Sequence, residues 1–157
     1  MNFDKAFETL LGHEGKYSND SRDPGGETHW GISKRSYPGL DIKNLTQADA
    51  KAIYKQDYWD KGQCDRLPSG LAFDFFDAAV NSGIGQASRF LQRAVGLVDD
   101  GYIGPLTIAA IMRLEPEVVQ ARFNGHRLEF MTKLSTFEVF GKGWSRRIAQ
   151  NLQQIGN

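Results

Sequence analysis

Residues 13–26 read HEGKYSNDSRDPGG and join a helical pattern to a loop rich in turn-forming residues. Upstream of this stretch, apolar residues recur at the spacing of one buried helix face: Phe3, Phe7, Leu10 and Leu11. The pattern predicts a first helix that ends near Glu14, with Gly12 and Gly15 as stop signals. Residues 15–45 are dense in Gly, Asp, Asn, Ser and Pro, which predicts a loop with a small β-hairpin.

Glu14 is the distinctive carboxylate of this region. The last turn of a helix presents unpaired carbonyls, which disfavour an ionised carboxylate by up to about 1 kcal/mol. Such a position is expected to raise the pKa of the glutamate, and desolvation in a cleft would raise that pKa further. The neutral acid is what a proton donor to a leaving oxygen requires. The alternative is an ordinary glutamate that points into water at a frayed helix end.

Asp23 follows Glu14 by nine residues, and Thr28 follows Asp23 by five. Gly25 and Gly26 lie between Asp23 and Thr28 and allow a tight backbone turn. A hairpin that returns over the helix end would bring these side chains to face Glu14. Two carboxyl groups separated by the width of a water molecule can cleave a glycosidic bond.

The rest of the chain has helical periodicity. Thr46 and Asp49 have the spacing of a capping box and predict a helix over about residues 47–59. Further helices are predicted after Pro68, over about residues 86–95, from Pro105, from Pro116, and around residues 144–155. The sequence therefore predicts a mainly α protein with one irregular, glycine-rich segment near its start.

Composition excludes several classes of function. The chain has 157 residues, with 19 basic and 19 acidic side chains. This balance of charge does not predict non-specific electrostatic binding to nucleic acid or to an anionic membrane. Cys64 is the sole cysteine, so no internal disulfide is possible. His13 and His29 fit no zinc pattern, and we expect neither a metal nor a cofactor.

The start of the chain, MNFDKAFETLLGHE, lacks the basic region and continuous apolar stretch of a secretory signal. No apolar run approaches membrane-spanning length. We therefore expect a soluble product that is made in the cytoplasm and has no stable association with a membrane.

Saccharide clefts combine aromatic plates with amides and carboxylates. Five aromatic residues near the loop or on the following helix are candidates to stack against sugar rings: Tyr17, Trp30, Tyr54, Tyr58 and Trp59. For Trp59 a core position is the alternative. Asp74, Asp77 and Asn81 form a polar stripe on an otherwise apolar helix, and Asp77 and Asn81 are candidate substrate contacts. A solvated helix face would explain the same stripe.

Several separate motifs of the chain occur in the order found in one enzyme family: HEGKYSND, DPGGETHWGIS, IYKQDYW, DAAVNSG, FLQRAVGL, DGYIGPLT and GKGW. From about Leu10 to Trp144 the chain resembles the glycoside hydrolase family 108 muramidases, a group found among phage endolysins. In that family the glutamate of the E-G-G-Y motif is the catalytic acid, which corresponds here to Glu14. This chain has Lys16 in place of the second glycine. The order of Glu14, Asp23 and Thr28 is also similar to the catalytic triad of the family 24 phage lysozymes, with a second gap one residue shorter.

The resemblance implies a lysozyme-like helical fold with a short β-hairpin beside the active cleft. It implies a catalytic lobe over residues 1–88 and a helical lobe over residues 89–157 that is similar to a peptidoglycan-binding segment. The connection from Asn81 to Phe90 is short and continuous in pattern, so we expect the two lobes to share one core. The implied reaction is hydrolysis of the β-1,4 bond between N-acetylmuramic acid and N-acetylglucosamine. We also expect a monomer that accumulates in the host cytoplasm and reaches the cell wall after a holin opens the membrane.

Three alternatives remain open. A lytic transglycosylase also needs one glutamate, but it would release anhydro-muramic products and tolerate loss of Asp23. A non-catalytic wall-binding or secretion-accessory protein would bind peptidoglycan without cleaving it. An amidase or peptidase acting on the stem peptide would normally require zinc or a Cys/His pair, and Cys64 has no evident partner in the sequence.

Overall fold

The computed structural model describes residues 1–12, 15–22 and 24–157. Within these ranges the protein is mainly α-helical with one two-stranded antiparallel sheet, which confirms the predicted fold class. The elements in chain order are α1 Phe3–Leu11, β1 Thr28–His29, β2 Ile32–Ser33, α2 Gln47–Tyr54, α3 Ser69–Ser82, α4 Ile84–Ala94, α5 Pro105–Met112, α6 Pro116–Thr132 and α7 Phe137–Gln153.

The chain forms two compact units. The front unit comprises Asn2–Asp57, and the helical unit comprises Tyr58–Asn157 together with Met1. The front unit holds α1, α2 and the hairpin, whereas the helical unit holds α3 to α7. The lobe boundary predicted after residue 88 falls inside α4, within the helical unit.

In the front unit, α1 begins at a side-chain cap and ends at a glycine. The Asn2 side chain accepts a hydrogen bond from the Lys5 backbone N–H at 3.0 Å. Gly12 follows the helix at φ 50°, a conformation that favours glycine. The helix therefore ends at Leu11, earlier than the apolar pattern predicts. Phe3, Phe7 and Leu11 are buried, as one apolar helix face requires.

The predicted capping box at the start of α2 is present. The Asp49 backbone N–H donates to the Thr46 hydroxyl at 3.1 Å, and the Thr46 N–H donates to the Asp49 carboxylate at 3.3 Å. The regular helix ends at Tyr54, and a π-helical turn continues it over Lys55–Asp60. The segment that was predicted as one helix over about residues 47–59 therefore consists of an α-helix followed by a π-helical turn.

The helical unit is built around α3, α4 and α6. Four phenylalanines from these helices are fully buried: Phe75, Phe76, Phe90 and Phe123. The Phe90 and Phe123 rings meet edge to face with centroids 6.0 Å apart. Both α5 and α6 begin at a proline, as predicted, because proline fixes the backbone angle of the first helical residue and needs no N–H partner there.

Among the described helices, none combines the length and apolar character needed to cross a membrane.

Candidate functional site

Two of the predicted catalytic residues, Glu14 and Asp23, lie outside the described residues, as does His13. The residues on either side of them are described, and these define the surroundings of the predicted site. Thr28, the third predicted catalytic residue, lies in β1 and is half-buried.

The chain that follows Glu14 pairs with β1. The Ser18 N–H donates to the Thr28 carbonyl at 2.9 Å, and the Thr28 N–H donates to the Ser18 carbonyl at 2.8 Å. The Trp30 N–H donates to the carbonyl of Gly15 at 2.9 Å. The residue directly after Glu14 is thus hydrogen-bonded to the hairpin that carries Thr28, which is the folding back that the glycine-rich sequence predicts.

On its other side β1 pairs with β2 through a tight turn at Trp30 and Gly31. Thr28 lies opposite Ser33, and His29 lies opposite Ile32. The isolated antiparallel Ser18–Thr28 bridge and the bond from the Trp30 N–H to the Gly15 carbonyl place residues 15–18 along the other edge of β1, beside this two-stranded hairpin. We call residues 15–18 and the hairpin together the front ladder.

The register of the front ladder separates its side chains into two faces. Directly opposed residues of an antiparallel pair share a face, and neighbours along a strand alternate. Ser18, Thr28 and Ser33 therefore lie on one face, and His29 and Ile32 lie on the other. Tyr17 shares the face of His29, since its ring meets the His29 ring edge to face at 5.7 Å and 79°. The predicted substrate contact Tyr17 and the predicted catalytic Thr28 thus lie on opposite faces.

The face of Tyr17 is partly closed by other groups. Ile32 is 2% exposed, and the Nδ1 atom of His29 lies 3.0 Å from the carbonyl oxygen of Ile42. Tyr17 itself is 37% exposed. Partial desolvation, followed by the nearby Glu27 carboxylate, raises the pKa of Tyr17.

Trp30 supports the turn of the hairpin. It has a φ of 54°, its indole N–H donates to the Leu45 carbonyl at 2.9 Å, and its ring stacks on His29 at 5.2 Å. A Cβ on Gly15 would lie 2.9 Å from the Trp30 ring, so the backbone after Glu14 packs directly against the indole. Trp30 is half-buried, and these contacts use much of its surface.

Two other aromatic residues that were predicted to contact sugar lie in the cores of their units. Tyr54 is 2% exposed, and its hydroxyl donates to the Trp30 carbonyl at 3.1 Å. Trp59 is 1% exposed, its indole N–H donates to Asp65 at 2.9 Å, and its ring meets Phe76 edge to face. This burial favours packing roles for Tyr54 and Trp59 over the predicted contact with sugar. Tyr58 is half-buried.

The predicted polar stripe on α3 divides into a buried part and an exposed part. Asp77 is 1% exposed and forms an ion pair with Arg127 at 2.6 Å and another with Arg147. Both of its oxygens therefore face guanidinium groups, and we assign Asp77 a structural role in place of the predicted substrate contact. Asn81 lies near the end of α3 and is exposed.

Asp74, the first member of the stripe, is also buried. Its Oδ2 atom accepts hydrogen bonds from Gln120 at 2.9 Å and from Asn124 at 2.6 Å. Burial raises the pKa of Asp74 to about 6, against the opposing effect of these hydrogen bonds. Sequence reasoning missed the partners on α6, although Arg127 follows the buried Val119 and Phe123 at helical spacing, which is a signal that it points inward.

No cluster of three or more His, Cys, Asp or Glu suited to a metal ion occurs within residues 1–12, 15–22 and 24–157. Cys64 is buried, and that burial raises the pKa of its thiol. The thiolate that nucleophilic catalysis needs is therefore disfavoured at Cys64.

The comparisons with known proteins agree with the resemblance drawn from the motifs. The family model for glycosyl hydrolase 108 matches residues 7–83, which include the whole front ladder and all of α3. A solved structure, that of Brucella abortus SagA, matches with a TM-score of 0.89 and 34% sequence identity, covering 98% of this chain and 92% of that chain. No curated protein matches the sequence.

The fold and these matches define a glycoside hydrolase. The chain belongs to the glycosyl hydrolase 108 family.

Proposed function

We propose that the protein is a muramidase that hydrolyses the β-1,4 bond between N-acetylmuramic acid and N-acetylglucosamine in peptidoglycan. The observation that carries the proposal is the pairing of the chain directly after Glu14 with the hairpin that bears Thr28, through the bond from the Trp30 N–H to the Gly15 carbonyl at 2.9 Å. Membership of a glycoside hydrolase family supports the reaction class.

In the proposed mechanism Glu14 protonates the leaving glycosidic oxygen. Asp23 orients the attacking water or stabilises the developing oxocarbenium charge, with help from the Thr28 hydroxyl. Tyr17 in the front unit and Tyr58 and Asn81 in the helical unit are proposed substrate contacts, since each is exposed or half-buried. We also propose that the protein acts as a monomer, accumulates in the host cytoplasm and reaches the wall when a holin opens the membrane.

Glu14→Gln tests the proposal because it keeps the size of the side chain and removes the proton donor. We expect a loss of at least about a hundredfold in the rate of peptidoglycan cleavage, the scale of general acid catalysis. The measurement is the fall in turbidity of purified sacculi, with circular dichroism to check folding. Glu8→Gln, on an exposed position of α1, is the matched control and should keep full activity.

Mass spectrometry of the digested sacculi completes the experiment. Reducing muramic ends would support hydrolysis, and anhydro-muramic ends would show a lytic transglycosylase instead. If Glu14→Gln keeps its activity, the proposed acid is wrong, and Glu27→Gln would then be the next variant to test. Binding of sacculi with no cleavage by the wild type would show a non-catalytic wall-binding protein.

A further inference from the structure

Three hydroxyl side chains lie in register across the front ladder. Ser18 lies opposite Thr28, and Thr28 lies opposite Ser33, so the three share one face. We call this set the hydroxyl row. Only Thr28 is included in the catalytic residues proposed above.

Backbone bonding sets the spacing of the row. Ser18 and Thr28 exchange both of their backbone hydrogen bonds, which places their Cα atoms about 5.5 Å apart. The Lys34 N–H donates to the Glu27 carbonyl at 2.8 Å, so Thr28 and Ser33 form the adjacent pair without hydrogen bonds, where Cα atoms lie about 4.5 Å apart. The row is therefore about 10 Å long, which suits several groups of a polymer better than a single small molecule.

The face of the hydroxyl row is accessible to a ligand. The opposite face holds the buried Ile32 and the contact between His29 and the Ile42 carbonyl. Ser18 is exposed and Thr28 is half-buried. Across the part of the chain that the structure describes, neither of these two hydroxyls has a hydrogen-bond partner, whereas Ser33 Oγ accepts a bond from the Ser36 N–H at 3.2 Å.

We propose that Ser18 is a further substrate-positioning residue, which hydrogen-bonds the glycan strand beside Thr28. The inference rests on the proposed function for the nature of the ligand. A hydroxyl offers one donor and two acceptor sites, which match the hydroxyls and N-acetyl amides of the glycan. Ser18 does not exchange a proton in the reaction, so it contributes to binding and leaves the chemical step to the acid.

Ser18→Ala tests this role. One hydrogen bond contributes about 0.5–1.5 kcal/mol, so we expect roughly a two- to tenfold rise in KM for soluble glycan fragments with little change in kcat. The backbone bonds of the ladder do not need the serine side chain, and the variant should therefore keep its melting temperature. Ser18→Thr keeps a hydroxyl at a strand position and should restore most of the lost affinity.

Ser36→Ala is the matched control. Ser36 is exposed in the turn after β2, and it contacts the ladder through its backbone N–H, which the substitution keeps. We expect the KM of this variant to equal that of the wild type. Affinity is also measured by calorimetry with a muramic acid–glucosamine tetrasaccharide, in a Glu14→Gln background that does not consume the ligand.

The outcomes separate this inference from the proposed function. Weaker binding in Ser18→Ala but not in Ser36→Ala supports the role of Ser18, even if the wild type proves unable to cleave glycan. Equal affinity and equal KM in both variants overturn it while leaving muramidase activity intact. A wild type that binds no glycan overturns the inference as well.

Discussion

The two compact units use polar side chains in opposite ways. In the helical unit, Asp74 and Asp77 are each 1% exposed and are bonded to side chains from other helices. In the front unit, the hydroxyls of Ser18 and Thr28 lie on a ladder face without a partner among the described residues. A polar residue whose bonds are satisfied within the fold holds the fold together. One whose bonds are left open is the better candidate for ligand binding.

The largest effect that this comparison predicts is on Asp77. Asp77→Ala would leave Arg127, which is 0% exposed, without its ionic partner. Removing one member of a buried ion pair costs about 3–5 kcal/mol, and we expect that loss in the free energy of unfolding. Urea denaturation followed by tryptophan fluorescence measures it.

The control for Asp77 is an ion pair on the surface of the same unit. Asp99 bonds Arg93 at 2.7 Å, and both side chains are about two-fifths exposed, at 41% and 39%. Asp99→Ala should therefore cost less than about 1 kcal/mol. A similar small cost for Asp77→Ala would show that its burial does not make it structural and would return it to the candidate substrate contacts.

Local signals in the sequence predicted a helix at each of α1 to α7, although α7 begins at Phe137, earlier than the predicted start near residue 144. The capping box at Thr46, and prolines at the first positions of α5 and α6, depend on residues that are neighbours in the chain. The partners of Asp77 could not be predicted in this way. Arg127 and Arg147 lie 50 and 70 residues away in sequence, and only the packing of α6 and α7 brings them to α3.

The candidate site shows the same division. The turn-forming composition of residues 15–45 predicted a small hairpin, and the structure contains one at residues 28–33, with its turn at Trp30 and Gly31. The faces of that hairpin depend on register, because a shift of one residue would exchange them. The sequence therefore selected Tyr17 and Thr28 together, although the ladder places them on opposite faces, and it overlooked Ser18.

The second prediction concerns the pH dependence of stability. Burial raises the pKa of Asp74 to about 6 from 3.8, and Asp77 and Arg127 are the charged groups that act on it. Between pH 4 and 6 the folded protein keeps a proton that the unfolded chain has lost, so stability falls as pH rises through this window. A shift of this size corresponds to roughly 2–3 kcal/mol.

Asp74→Asn is the variant that checks this pH effect. Asparagine cannot ionise, and its carbonyl can still accept the bonds from Gln120 and Asn124. In this variant the free energy of unfolding, measured from pH 4 to 8, should therefore no longer show the decrease with rising pH that Asp74 causes. The variant should also be at least as stable as the wild type at pH 8. In Asp99→Asn the slope should persist, because the pKa of the half-buried Asp99 is lowered by Arg93. A wild-type slope of the opposite sign would contradict the assignment to Asp74.

The smallest predicted effect tests the front unit beside the proposed acid. Gly15 has a φ of +127°, and an added Cβ would lie 2.9 Å from Trp30. Gly15→Ala should therefore cost about 1–2 kcal/mol of stability, since the backbone strain and the displaced indole act together. Gly39→Ala is the control, because a Cβ there meets no atom within 4 Å.

The cleavage rate of Gly15→Ala distinguishes a local defect from a global one. Gly15 adjoins Glu14, so a shift of the Trp30 ring should also disturb the proposed acid. We therefore expect slower cleavage even at temperatures where the variant is fully folded. An unchanged rate would show that the contact between Gly15 and Trp30 does not position the acid.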